Sequence, residues 1–451
     1  MTRRIAIVGA GYSGTLLALH LLRDDRDGFE VALLERSASF ARGLAYATHN
    51  PRHLLNVRVG NMSAWPHDPG HLQAWLAGSG QGCDGADFIS RGTYGRYLAS
   101  MLQQAAARES GPQRLLLEHD EVVNAEPAQG RLRLTLAMGR TMEVDAVVLA
   151  TGHQPPVGPP RLGLEVLPAG RYAPDPWAEG ALEGLDPDAA VLVLGTGLTM
   201  IDVALTLEGR GHHGPLLALS RRGLVSRRHE GDMTTTPVGE ALAQAPLSRR
   251  VQTLRRRVHE VGWRQAVDEL RSSTQAIWKA ASLAERRRFL RHLRPWWDAH
   301  RHRTAPAVAG WLDAQVAAGR IAVTAGRLEA AWATDAGVMV RWRPRGQGAA
   351  RTLEVARIVN CTGAGADLAR TQSRLLQSLL AADAVRPDAL GLGLDVDDED
   401  RVIDSRGDHN AEIYAVGPLT RGALWEIVAV PDIRNQVADL ASRLRRRFAA
   451  P

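Results

Sequence analysis

Ile5-Ala6-Ile7-Val8-Gly9-Ala10-Gly11-Tyr12-Ser13-Gly14 is the stretch that decides the fold, with a helical apolar run from Leu16 to Leu22 behind it. The order reads as buried strand, GxGxxG turn, then helix. Gly9 permits the tight turn, Gly11 lets the backbone approach a pyrophosphate, and Gly14 lets the helix pack close to the strand. The first helical residues, Ser13 among them, present unpaired N–H groups to phosphates. A second strand, Val31 to Leu34, runs into Glu35 and Arg36, and Glu35 lies 21 residues after Gly14. A carboxylate at that offset accepts hydrogen bonds from ribose hydroxyls and repels a 2′-phosphate. The N-terminal site therefore reads as an FAD site.

The pattern recurs in mid-chain. The strand Val191 to Leu194 leads into Gly195-Thr196-Gly197-Leu198-Thr199-Met200 and a helical run from Ile201 to Leu207. A further strand, Leu216 to Leu219, ends in Ser220-Arg221-Arg222, and Arg221 again lies 21 residues after the third fingerprint position. A hydroxyl and two guanidiniums replace the carboxylate there, which suits a ribose 2′-phosphate. The second site therefore reads as an NADPH site. Met200 in place of the third glycine implies looser helix packing. Two more strands end alike, Ala146 to Leu149 before Thr151-Gly152, and Ile358-Val359 before Thr362-Gly363. In a doubly wound sheet such strand ends line the cofactor crevice. The fold class is thus α/β, with two Rossmann-like dinucleotide-binding domains and a helical insertion.

Composition narrows the alternatives. With 45% hydrophobic and 23% charged residues, the 451-residue chain is an ordinary soluble globular protein of two or three domains. Its longest apolar runs fall well short of a membrane span. Arg3 and Arg4 before Ile5 to Val8 imitate a signal peptide, but a glycine motif follows and no cleavage pattern does, so a cytoplasmic protein is expected. The two cysteines, Cys83 and Cys361, form no CxxC pair, and both are expected to be buried as small hydrophobes. A pI near 9.8 raises a nucleic-acid partner. The basic charge is nearly all arginine, with Lys279 the only lysine and a net charge of +6, a skew that reflects base composition rather than a binding face. No nucleic acid, no membrane and no metal are expected as partners. Spacing His300-x-His302 is metal-like, but adjacent arginines repel a cation. No Gly-x-Ser-x-Gly, HExxH or Walker motif supports a hydrolase or ATPase.

The two glycine motifs, the Thr-Gly strand ends and the late Ile413-Tyr-Ala-Val-Gly417-Pro418 resemble the two-dinucleotide-binding flavoproteins. More narrowly, Gly43-Leu-Ala-Tyr46, His53-Leu-Leu-Asn56-Val57, Met62-Ser63-Ala64 and Tyr94-Gly-Arg-Tyr-Leu98 resemble a bacterial family of FAD/NAD(P)-binding proteins. The C-terminal Gly417-Pro418-Leu-Thr-Arg-Gly422, Trp425-Glu426-Ile427 and Pro431-Asp-Ile-Arg434-Asn-Gln436 are similar to the same family. The resemblance spans nearly the whole chain. It implies that Leu55, Asn56, Met62 and Ser63 lie near the flavin, as do Gly417, Pro418, Trp425, Glu426 and the helix that follows. Turn or cap duty is the equal alternative for Asn56 and Ser63.

The resemblance extends to the N-hydroxylating flavin monooxygenases. It implies NADPH and O2 as co-substrates and a small amine or amino-acid-like substrate, hydroxylated at nitrogen or sulfur through a flavin C4a-hydroperoxide. The FxGxxxH fingerprint of Baeyer–Villiger enzymes is absent, since the corresponding region reads Gly170 to Trp177. A flavin reductase or electron-transfer dehydrogenase is the alternative that the same motifs serve. A cofactor-bound sensor or a nucleic-acid-associated protein stands third.

Domain boundaries follow from the strand order. Residues 1–187 would form the first part of the FAD-binding domain and 359–451 its return. Residues 188–358 would form the NADPH-binding domain, with Gly163 to Pro187 as a linker and 229–310 as a helical insertion over the cleft. Within the insertion, Leu247, Val251, Leu254 and Val258 fall at helical spacing, and an arginine-rich run spans Arg286 to Arg303. A solvated face is the plain reading of such a run. His300, Arg301 and Arg303 are the candidates to clamp a substrate carboxylate or the NADPH phosphates.

Overall fold

The structure is a computed structural model that describes residues 3–23, 28–107, 114–231 and 245–448. Four-residue apolar runs form the strands at its centre, because only a strand buried on both faces can dispose of so much apolar surface. In the first sheet the order is Arg401–Ile403, His409–Ala415, Ala146–Leu149, Arg3–Val8, Phe29–Glu35, Leu115–His119. All its pairings are parallel except the outermost, between Arg401–Ile403 and His409–Ala415.

The second sheet repeats the scheme in the order Arg351–Val355, Val338–Pro344, Ile321–Ala333, Leu216–Ser220, Val191–Leu194, Arg357–Asn360, Tyr172–Ala173. Its inner pairings are parallel, and an antiparallel meander closes one edge. A small antiparallel sheet, Val122–Ala128, Arg131–Leu136 and Thr141–Val144, completes the set. The chain is an α/β protein with two Rossmann-like domains. The second sheet reaches beyond 188–358 at both ends. Strand Tyr172–Ala173 comes from the stretch read as a linker, and Arg357–Asn360 straddles residue 358.

Helix Tyr12–Leu21 is buried along its whole length beneath the first sheet. Helix Val430–Phe448 covers it with Ile433, Val437, Leu440 and Leu444, a spacing of three and four that turns one face inward. Each such side chain contributes roughly 1.5–3 kcal/mol on burial. In the region 229–310 the described residues from Leu247 onward are largely helical. Leu247–Glu269, kinked at Gly262, is followed by Thr274–Ala280, Leu283–Arg288, Arg294–Arg301 and Pro306–Ala317. Residues 232–244 of that region lie outside the described residues. Leu247, Val251, Leu254 and Val258 form a half-buried face.

Candidate active site between two glycine turns

The two glycine turns have the same construction, bond for bond. The Gly9 N–H donates to the Leu34 carbonyl at 2.8 Å, and the Gly195 N–H donates to that of Leu219 at 2.8 Å. Ala150 N–H reaches Val8 O at 2.9 Å, and Cys361 N–H reaches Leu194 O at 2.7 Å. Each first glycine therefore sits where a neighbouring strand crosses the top of the turn. A Cβ on Gly9 would lie 2.6 Å from Ala150 O, and one on Gly195 would lie 2.1 Å from Cys361 O. Both adopt the positive φ that suits glycine.

The third positions differ. A Cβ on Gly14 would lie 1.9 Å from Gly9 O, so the first helix can approach its turn only because Gly14 lacks one. Met200 instead turns its side chain into the core of the second domain, with Val203 and Ala204. The first helical bond lengthens there, from 3.0 Å for Thr15 to Gly11 to 3.4 Å for Ile201 to Gly197.

One cleft of about 2640 Å³ joins the two turns. It exceeds the roughly 300–1,000 Å³ of a single small-ligand pocket. Gly9, Gly11, Ser13, Glu35, Arg36, Thr151 and Gly152 line its first half. Gly195, Gly197, Leu198, Thr199, Ser220, Arg221, Arg222 and Gly363 line the second, and Asn56, Met62, Pro418 and Arg301 also face it. Glu35 accepts the N–H of Ala10 at 2.8 Å and that of Ser37 at 2.9 Å, which fixes its carboxylate beside the turn. Ser220 is engaged within the protein, with Thr196 Oγ1 at 2.9 Å and the Gly223 N–H at 3.0 Å. Arg222 donates to the His292 carbonyl. Arg221 is exposed and, among the described residues, has no hydrogen bond or ion pair.

Other sequence candidates lie behind the cleft wall. Ser63 is buried, and its hydroxyl donates to the Asp68 carbonyl at 2.5 Å, which is turn duty. Gly417 packs on Ser13, where a Cβ would meet Oγ at 2.4 Å, and its N–H donates to Gln436 Oε1 at 2.8 Å. Trp425 is buried and stacks on Trp278 at 4.9 Å. Glu426, also buried, accepts Trp297 Nε1–H at 2.8 Å and faces Arg301 at 3.3 Å. His300 packs edge-on against Trp263, away from the cleft. Arg303 is held by both oxygens of Asp268 at 2.9 Å, so it serves the insertion rather than a ligand. Cys361 is buried as expected, whereas Cys83 is half-buried.

Several cleft residues escaped the sequence reading. Arg327 and Arg345 line the second half. They are brought there by the register that pairs Ser220 with Ala325, which no local motif announces. His153 follows Gly152 directly, so adjacency pointed to it. Burial and the nearby Arg421 depress its pKa to about 4. His229 holds Asn56 by its carbonyl at 3.0 Å, and burial keeps that imidazole neutral, with a pKa of about 4. Between the domains, Arg91 pairs with Asp202 at 2.8 Å, and His53 Nε2 bonds Asp202 O at 3.0 Å.

Residues 6–154 match the family model described as FAD-NAD(P)-binding. The segment bearing the first glycine turn is an FAD-NAD(P)-binding domain. No curated protein matches the chain. Among solved structures, the chain is similar to L-lysine 6-monooxygenase from Pseudomonas syringae, at 18% identity and TM-score 0.67 over 99% of each chain. It is similar to the Kutzneria sp. 744 ornithine N-hydroxylase solved with reduced FAD, NADP+ and L-ornithine. There the identity is 18% and the TM-score 0.60, over 99% of this chain and 100% of that one. Thioredoxin reductase from T. acidophilum follows at 14% identity and TM-score 0.54, over 99% of each chain. These likenesses establish the fold.

Proposed function

We propose that the chain is a flavin-dependent oxidoreductase, an NADPH-using monooxygenase that hydroxylates a nitrogen or sulfur of a small amine or amino-acid-like substrate. The observation that carries this reading is the single cleft lined by both glycine turns, since one cavity must serve both nucleotides if a hydride is to pass between them. The residues fit FAD in the first half. The Gly9 and Gly14 positions have no room for a Cβ, Gly11 is open toward the cleft, and Glu35 stands at the ribose offset. Arg221, with Arg327 and Arg345 beside it, fits a 2′-phosphate in the second half. On this reading the first sheet and its helices form the FAD-binding domain, and the second sheet, from Tyr172–Ala173 to Arg357–Asn360, forms the NADPH-binding domain.

When bound, FAD supplies the oxygen-activating chemistry, and the protein needs no strong acid or base of its own. The chain's own residues orient and enclose. The Ser13 turn and the N-terminus of helix Tyr12–Leu21 receive phosphate, His229 fixes the Asn56 backbone, and helix Arg294–Arg301 closes the cleft from the insertion side. Excluding water there limits loss of reactive oxygen. The reductase neighbours favour a second reading, electron transfer without oxygen transfer. The chain's two cysteines, Cys83 and Cys361, form no CxxC pair that would place a dithiol of its own beside the flavin. The test is oxygen and NADPH consumption by the FAD-loaded protein across amine and thioether panels. Hydroxylated product in step with NADPH supports the monooxygenase. Consumption that yields only hydrogen peroxide with every compound contradicts it.

A further inference from the structure

Arg421 lines the cleft beside Pro418, mostly buried, and its guanidinium has no hydrogen bond or ion pair among the described residues. The guanidinium lies over the face of Trp425, 4.5 Å from the ring centroid. The neighbouring charges are otherwise engaged. Arg294 pairs with Asp298 at 3.3 Å, and Arg301 faces Glu426 at 3.3 Å. Burial and the approach of Arg294 push the Arg421 pKa down to about 10. Asp298 and Glu426 offset part of the cost of taking this guanidinium from water, but among the described residues neither bonds to it, and a bound anion would offset the rest. The wall beneath is rigid, because Trp425 is sandwiched against Trp278, whose Nε1–H donates to Gly422 O at 2.8 Å.

We propose that Arg421 is a specificity residue that receives the carboxylate of the substrate, with Arg294 at the edge of the same subsite. The proposal rests on the reading of the cleft as a substrate site and adds that the substrate carries an anionic group. Arg421 belongs to the return segment, next to Gly417 and Pro418, whereas Arg221 marks the nucleotide phosphate end. A guanidinium offers a carboxylate two parallel donors, and such charge-assisted bonds are individually strong.

The experiment is calorimetric binding of δ-aminovalerate and its neutral amide, δ-aminovaleramide, to the FAD-loaded protein. Wild type should bind the carboxylate about tenfold or more tightly than the amide, as charge-assisted hydrogen bonds of this kind require. R421Q should abolish that preference while leaving the NADP+ Kd unchanged, and R421K should keep part of it. FAD content and Tm report whether R421Q is folded. If it is not, the wild-type preference and its reduction in R421K decide. Equal binding of acid and amide by wild type, or an R421Q defect confined to NADP+, overturns the proposal. Binding is read without turnover, so an absence of hydroxylated product would remove the monooxygenase reading and leave this subsite standing.

Discussion

Arg221 and Glu35 occupy the same offset from their respective turns, yet only one is tied down. Glu35 is fixed by two backbone N–H groups, while Arg221 lines the cleft with no hydrogen bond or ion pair among the described residues. Arg221→Glu should therefore raise the KM for NADPH about tenfold or more and spare NADH. Equal loss with both nucleotides in steady-state assays would contradict a 2′-phosphate contact. Gly14→Ala makes the contrasting case. Its methyl group has nowhere to go against Gly9 O, so the variant should purify with little FAD and a lowered Tm. A holo variant as stable as wild type would show that the helix can retreat from the turn.

At the level of elements, helix Tyr12–Leu21 carries an unusual passenger. His20 is buried against Trp65, and burial depresses its pKa to about 4. The folded state thus holds it neutral while the unfolded chain takes a proton near pH 6.5. Stability from this group is present above about pH 6.5 and is lost as pH falls toward 4, because the unfolded state then binds more protons. His20→Leu should narrow or reverse any Tm deficit relative to wild type across that window. A Tm difference that stays constant with pH would contradict the assignment.

The same scale shows what the sequence could and could not reveal. Strand, turn and helix at each fingerprint were legible because period, the first two glycines and the 21-residue offset agree, although Met200 replaces the third glycine in the second. Arg303 and His300 misled because a charge run states composition, and only packing against Asp268 and Trp263 decides direction. Tyr172–Ala173 is too short to announce itself between prolines.

For the whole molecule, the relation between the two sheets matters most. Helix Leu198–Gly209 of the second domain is fastened to the first by Arg91–Asp202, by His53 to Asp202 O, and by Arg52 to Glu208. Burial pushes the Asp202 pKa up, and the adjacent Arg91 offsets part of that shift. Asp202→Ala leaves Arg91 without its counter-charge and should cost about 2–3 kcal/mol, read as a fall in Tm by calorimetry. An unchanged Tm would mean that the interface is held by other contacts. The Arg91–Asp202 pairing was not legible in the sequence, since the two stand 111 residues apart and carry no motif.

The shared cleft makes one demand that no single-nucleotide fold makes: electrons must pass from one half to the other. Anaerobic mixing of the FAD-loaded protein with NADPH tests it most directly. The flavin's visible absorbance should bleach in a single stoichiometric step, faster with NADPH than with NADH. Bound FAD that NADPH leaves oxidised would contradict the joining of the two glycine turns into one redox site.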